Sequence, residues 1–164
     1  MSKIYDAVYQ QSLDDPSGFW REAAKGISWS KTPSTVLDKT GAPVPRWFSD
    51  GHLNTCFNAL DRHVRSGRGD ATALIYDSAM TGEQTRYSYA ELTELTARCA
   101  GALQKLGVKK GDRVLIYMPM IAEAVVAMLA CARIGAVHSV VFGGFSSKAL
   151  QERIIDVGAS LVIT

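Results

Sequence analysis

The chain has 164 residues, of which 47% are hydrophobic and 21% charged, with a formal net charge of +2. That length is enough for one domain with a sizeable core, and the composition excludes a chain that is disordered throughout. Lys and Arg are dispersed along it, which excludes the basic stripe of a nucleic-acid-binding surface.

The N-terminal stretch MSKIYDAVYQQSLDD has no apolar core of the kind a secretory signal carries. Cys56, Cys99 and Cys131 are odd in number and widely spaced. They suggest no disulfide framework, and the expected setting is a reducing cytoplasm. Residues 1 to about 50 lack a sustained period. Phe19, Trp20, Trp29, Trp47 and Phe48 are scattered among Pro16, Pro33, Pro43 and Pro45, which predicts an extended arm with short helices whose rings dock on a larger body.

Leu53, Cys56, Phe57, Leu60 and Val64 recur at helical spacing and predict a helix over 53–65, ended by the run Ser66-Gly67-Arg68-Gly69-Asp70. Ala73 to Tyr76 and Thr85 to Tyr89 read as the two strands of a hairpin around turn residues 77–83. Ser88 and Glu91 form a capping box for the next helix. Its predicted stripe is Leu92, Leu95, Cys99, Leu103 and Leu106, and Gly107 supplies the left-handed stop.

A strand beginning at Arg113 and running through Val114 to Tyr117 is broken by Pro119. The apolar run Ile121 to Cys131 is too short to span a bilayer, so it predicts a helix buried against a sheet. A strand from Val137 to Phe142 leads into the turn Phe142-Gly143-Gly144-Phe145-Ser146. Ser146 or Ser147 then caps a helix that buries Leu150, Ile154 and Val157 and stops at Gly158, and Leu161 to Ile163 begins another strand. From residue 90 onward the order is α-β-α-β-α-β, an α/β fold with a parallel sheet and right-handed crossovers. The last strand lies at the end of the chain, so the expected sheet is incomplete.

The Phe142–Ser146 turn is the best candidate site. A glycine turn between a strand and a helix exposes backbone N–H groups where anions bind. The competing reading is a tight turn that needs glycine only for its dihedrals. The turn does not match the dinucleotide fingerprint, and the chain has neither a nucleotide-phosphate loop nor a serine-nucleophile elbow. No acidic cluster at the strand ends suggests Mg²⁺. His52, Cys56 and His63 lack a fourth ligand at metal-site spacing. Cys56 reads as a small hydrophobe, His63 as a helix-end group and His138 as a satisfied buried histidine. No catalytic or metal-binding residue is expected.

Several motifs carry a further resemblance. Trp47-Phe48-Ser49-Asp50-Gly51-His52-Leu53-Asn54 followed by Asn58-Ala59-Leu60-Asp61-Arg62-His63, Tyr87-Ser88-Tyr89-Ala90-Glu91-Leu92, Gly107 to Val114, Tyr117-Met118-Pro119-Met120 and Met128 to Ala136 resemble the AMP-forming acyl-CoA synthetases of the adenylate-forming superfamily, in the acetate and propionate branch. Asn54 to Ala59 and Ala73 to Ser78 look more like propionate–CoA ligases.

The resemblance implies an irregular, helical N-terminal arm over 1–66 and the beginning of the AMP-binding large domain over 67–164. It implies a parent enzyme that uses ATP, CoA and Mg²⁺ to convert a small carboxylate to its CoA thioester through an acyl-adenylate. That parent would involve no nucleic acid and no membrane, and its partner would be the remainder of the ligase polypeptide. The phosphate loop, acyl pocket and catalytic lysine of the family would lie beyond Thr164, so the fragment alone is expected to be inactive. CoA contact is carried to the backbone of Phe142, Gly143 and Gly144 only. The alternatives are an acetate–CoA ligase fragment and a non-catalytic α/β module that keeps a CoA-binding turn.

Overall fold

The computed structural model describes residues 3–41 and 43–164. Met1 and Ser2, part of the N-terminal stretch read above, and Ala42 of the arm lie outside the described residues. The chain divides into two compact units, Met1–Leu53 and Asn54–Thr164.

In the first unit, α1 (Lys3–Asp14) and α2 (Pro16–Ala24) are followed by a short antiparallel pair, β1 (Leu37–Asp38) and β2 (Arg46–Trp47). Asp15 caps α2 by accepting from the Gly18 amide, and Pro16 begins the helix where its missing N–H costs nothing. The scattered rings engage one another within this unit. Phe19 meets Trp20 edge-on at 5.2 Å, Trp20 meets Trp47 at 6.1 Å and Trp29 meets Phe48 at 5.6 Å. The Asp50 carboxylate ties the segment together. It accepts from the Ser34 hydroxyl at 2.6 Å and from the Ser34 and Thr35 amides at 3.0 and 3.1 Å, and these bonds hold its pKa far below the usual carboxylate range.

The second unit opens on a helix with two π-helical turns, Phe57–Asp61 and Val64–Arg68. A π turn inserts an extra residue, and only Cys56 and Leu60 of the predicted stripe are fully buried. Leu53 lies before the helix and is 42% exposed. Gly67, at φ 81°, breaks the last turn in the left-handed region that glycine favours.

Strands β3 (Thr72–Ser78) and β4 (Glu83–Ser88) form the expected hairpin, each longer than predicted. Helix α3 (Tyr89–Lys105) begins on the reciprocal Ser88–Glu91 capping box. At its end Gly107 donates to Gln104 and Val108 to Leu103, the double bond of a Schellman stop.

The buried stripe of α3 is Leu92, Thr96, Ala100 and Leu103, whereas Leu95 is 37% and Leu106 70% exposed. The predicted stripe was therefore rotated. Size explains this: α3 packs on α4 (Ala122–Ile134), which buries Ala122, Ala124, Ala127 and Ala130. Small residues on both helices allow close approach where leucines would hold them apart. Thr96 is fully buried, and its hydroxyl has no partner among the described residues. Thr96→Val is therefore expected to raise stability by about 1 kcal/mol, since it removes an unsatisfied polar atom at nearly constant volume. A lower urea midpoint for the variant would contradict this.

The sheet is parallel, in the order β6 (Val137–Phe142), β5 (Arg113–Met118), β7 (Leu161–Ile163). Val114, Leu115 and Ile116 of the central strand are all fully buried. Neighbouring strand residues point to opposite faces, so both faces of β5 are covered. The chain steps from β5 to β6 on one side and from β6 back across β5 to β7 on the other. Right-handed crossovers then carry α4 and α5 (Ser147–Val157) to opposite faces. His138 is exposed, against the expectation of a buried histidine, because β6 has a strand partner on one side only.

Burial pushes the Cys131 thiol up to about 11, and it raises Cys99 and Cys56 as well. The unfolded chain would release these protons near about pH 8.5. The folded state thus binds more protons between the two values. Its stability is full below the lower value and falls as pH rises toward the higher. The urea midpoint is expected to drop between about pH 8.5 and pH 11, and Cys131→Ala should flatten that drop. An unchanged slope in the variant would remove the thiol as its source.

Candidate functional site

The turn after β6 lies at the carboxyl end of the parallel sheet. The segment leaving β5 at Pro119 leads to α4 on one face, and the segment leaving β6 at Gly143 leads to α5 on the other. Ligands in open α/β folds bind outside the carboxyl ends of the strands, the side of the sheet that this turn occupies.

Neither Gly143 nor Gly144 has a positive φ, so the turn does not need glycine for its dihedrals. Space decides instead. A Cβ on Gly143 would lie 3.1 Å from the Pro119 nitrogen and 3.2 Å from the Met118 carbonyl carbon, both backbone atoms of the neighbouring segment. A Cβ on Gly144 would lie 2.8 Å from the Phe142 ring. That ring is 51% exposed and can move, whereas the backbone beside Gly143 cannot move without shifting β5.

The turn is closed by three sets of bonds. The Gly143 amide donates to Met118 at 3.1 Å, extending the β5–β6 ladder by one step. The Phe145 amide donates to Phe142 at 3.0 Å. The Tyr117 hydroxyl lies 2.8 Å from the Phe145 carbonyl and 3.1 Å from the Gly143 carbonyl. Ser146 caps α5, its hydroxyl accepting from the Ala149 amide. The amides of Gly144 and Ser146 have no partner among the described residues. Phe142 and Phe145 meet edge-on at 6.5 Å. A groove of about 200 Å³ beside them is lined by Val140, Val141, Phe145, Ala149, Glu152 and Arg153. The turn thus offers N–H donors, exposed aromatic surface and close access to backbone, which suits a ligand rich in oxygen acceptors.

The other candidates lie elsewhere. His52 is held by a backbone bridge to Lys31 in the first unit. In the second unit, Cys56 is fully buried, and the His63 ring lies tilted against Tyr89, with centroids 4.6 Å apart. Partial desolvation and the charges of Arg68 and Arg62 keep the His63 imidazole below its usual pKa. No group of three His, Cys, Asp or Glu residues is placed to hold a metal ion among the described residues. No helix among them is long and apolar enough to cross a membrane.

Sequence reasoning missed Tyr117. Its signal was a residue with a polar tip at the carboxyl end of an otherwise aliphatic strand. It also missed the junction of Asn54, Asp61 and Arg133, in which Arg133 follows the other two by 79 and 72 positions.

Two family models match the chain. That of the acetyl-coenzyme A synthetase N-terminus covers residues 5–59, and that of the AMP-binding enzymes covers residues 60–164. An acetyl-coenzyme A synthetase of Cupriavidus metallidurans is 53% identical over 99% of the chain and 24% of its own length. The human mitochondrial acyl-CoA synthetase short-chain family member 3 is 49% identical over 98% of the chain and 23% of its own length. An acetyl-coenzyme A synthetase of Streptomyces avermitilis is 51% identical over 96% and 24%. The chain spans about a quarter of the length of the curated relatives it matches. The match at 60–164 takes in the hairpin, the parallel sheet and the turn after β6, and on that evidence the chain belongs to the AMP-binding enzyme family.

Proposed function

We propose that the chain is the N-terminal part of an AMP-forming short-chain acyl-CoA ligase. The parent joins propionate to CoA, with ATP cleaved to AMP and diphosphate through an acyl-adenylate. Phe142, Gly143 and Gly144 form backbone wall for CoA. The observation that carries the reading is the turn at the carboxyl end of β6, whose free amides and close-packed glycines suit the carbonyl and phosphate oxygens of CoA. The family match and the names of the relatives support the reaction class.

Activation of a carboxylate by ATP needs charge stabilisation on phosphate by a cation and a phosphate-binding loop. The described residues supply neither, so the 164 residues by themselves are expected to form no thioester. ATP, Mg²⁺ and the carboxylate belong to the remainder of the polypeptide, and the place of action is the cytoplasm.

Propionate is favoured by the segments Asn54 to Ala59 and Ala73 to Ser78. Acetate is the second reading, favoured by the acetyl-coenzyme A synthetase relatives and the N-terminal model. Measuring kcat/KM of the whole polypeptide for both acids separates them. A higher value for propionate supports the first reading. A higher value for acetate replaces it, and no ATP-dependent thioester with either acid overturns the class.

A further inference from the structure

We propose that Tyr117 is a positioning residue for the coenzyme, one that aims two backbone donors of the turn at it. The inference rests on the CoA reading of the turn and adds a residue outside it. A trans peptide is planar, so its C=O and N–H point in opposite directions. The Tyr117 hydroxyl holds the Gly143 carbonyl at 3.1 Å and the Phe145 carbonyl at 2.8 Å. A phenol has one proton, which it shares between the two or gives to each in turn. The amides that complete those two peptide units are Gly144 N–H and Ser146 N–H. Drawing both carbonyls toward Tyr117 turns both amides away from it.

The rest of the turn is arranged to the same effect. The Phe142 carbonyl is taken by the Phe145 amide and the Ser146 carbonyl by the Leu150 amide. Of the carbonyls from Phe142 to Ser146, four are therefore occupied from within the chain, whereas the Gly144 and Ser146 amides are unoccupied among the described residues. The surface left for a ligand is rich in donors and poor in acceptors. That polarity matches the amide carbonyls and phosphate oxygens of CoA, and it would repel them if the peptide units flipped.

Tyr117 is well suited to fix the polarity. It stands on the central strand, directly after the fully buried Ile116, and is paired in register with Val141 of β6. Its backbone is held in the sheet, and its hydroxyl reaches the turn.

The test is Tyr117→Phe in the whole polypeptide, which removes the hydroxyl and keeps the ring. The expected result is a rise of about 5- to 10-fold in KM for CoA, with KM for ATP and for the carboxylate within about 2-fold of the parent. Replacing Tyr117 with 4-aminophenylalanine, which keeps a donor at the same place, should restore KM for CoA. A merely structural role would shift all three KM values or the melting temperature together, and that outcome overturns the proposal. So does an unchanged KM for CoA in Tyr117→Phe when Gly143→Ala raises it, a pattern that leaves the CoA reading of the turn intact. If neither variant changes KM for CoA, the reading of the turn itself fails.

Discussion

Leu115→Ala is expected to cost the second unit about 3 kcal/mol, within the range seen when a buried leucine is cut to alanine in a close-packed core. Leu115 is the middle of three consecutive fully buried residues on β5, the strand that pairs with both β6 and β7. In-register pairing sets it between Ser139 and Val162. A cavity there has strands on both sides and helices over both faces, so little can move in to fill it. Total stabilities of small domains are about 5–15 kcal/mol, so the loss is a large share. The measurement is a urea melt of the variant beside Ile155→Ala. Ile155 lies on α5 and is 71% exposed, so its truncation is expected to cost no more than about 0.5 kcal/mol. Equal midpoints for the two variants would contradict the assignment of the core to β5.

The second large effect is expected at the junction between the first helix of the unit and α4. Arg133, near the end of α4, donates to the Asp61 carboxylate at 2.8 Å, and both side chains are mostly buried. Asn54 works at the same place. Its carbonyl oxygen accepts from the Phe57 amide at 2.9 Å, while its amide donates to the Arg133 and Ala132 carbonyls at 3.0 and 3.3 Å. One side chain thus caps the start of one helix and the end of another. Burial pushes the nearby Cys56 thiol upward, while Arg133 pulls the other way.

Asp61→Ala would leave the Arg133 guanidinium with its charge uncompensated, at an expected cost of about 2 kcal/mol once partial exposure is allowed for. The double variant Asp61→Ala/Arg133→Met should lose less than the sum of the two single losses, because the unpaired charge is gone. Strict additivity in denaturant melts would show that the pair does not couple.

These residues also show where the sequence was readable. Local chemistry was legible. Ser88 and Glu91 cap α3 because the two side chains and the orphan amides lie within four residues of one another. Gly107 and Gly158 stop their helices in the left-handed conformation that glycine adopts most easily. The order of strands and helices after residue 90 followed from period and breaks, and the parallel sheet bears it out.

What depends on a partner was not legible. The buried stripe of α3 turns toward Thr96 and Ala100 because α4 presents alanines there. No property of α3 alone would move Leu95 and Leu106 outward. The π turns at Phe57–Asp61 and Val64–Arg68 leave no local pattern that distinguishes them from an ordinary helix. At the turn, the structure replaces the dihedral requirement with a packing one, since neither Gly143 nor Gly144 has a positive φ and a Cβ on either would crowd its neighbours. The reason for Gly143 lies on another strand, in the backbone of Met118 and Pro119. Tyr117 was invisible for the same reason, since its two carbonyl partners follow it by 26 and 28 positions.

The central claim is that the Phe142-Gly143-Gly144 turn serves the thioester-forming half of the reaction and not the adenylate-forming half. The most direct measurement compares the two halves in the whole polypeptide carrying Gly143→Ala, with Gly144→Ala as a second variant whose Cβ would press on the half-exposed Phe142 ring. Carboxylate-dependent exchange of pyrophosphate with ATP reports the first half, and KM for CoA in thioester formation reports the second. The account predicts exchange within about 2-fold of the parent and a rise of about 10-fold or more in KM for CoA. Equal losses in both halves, or an unchanged KM for CoA, would contradict it.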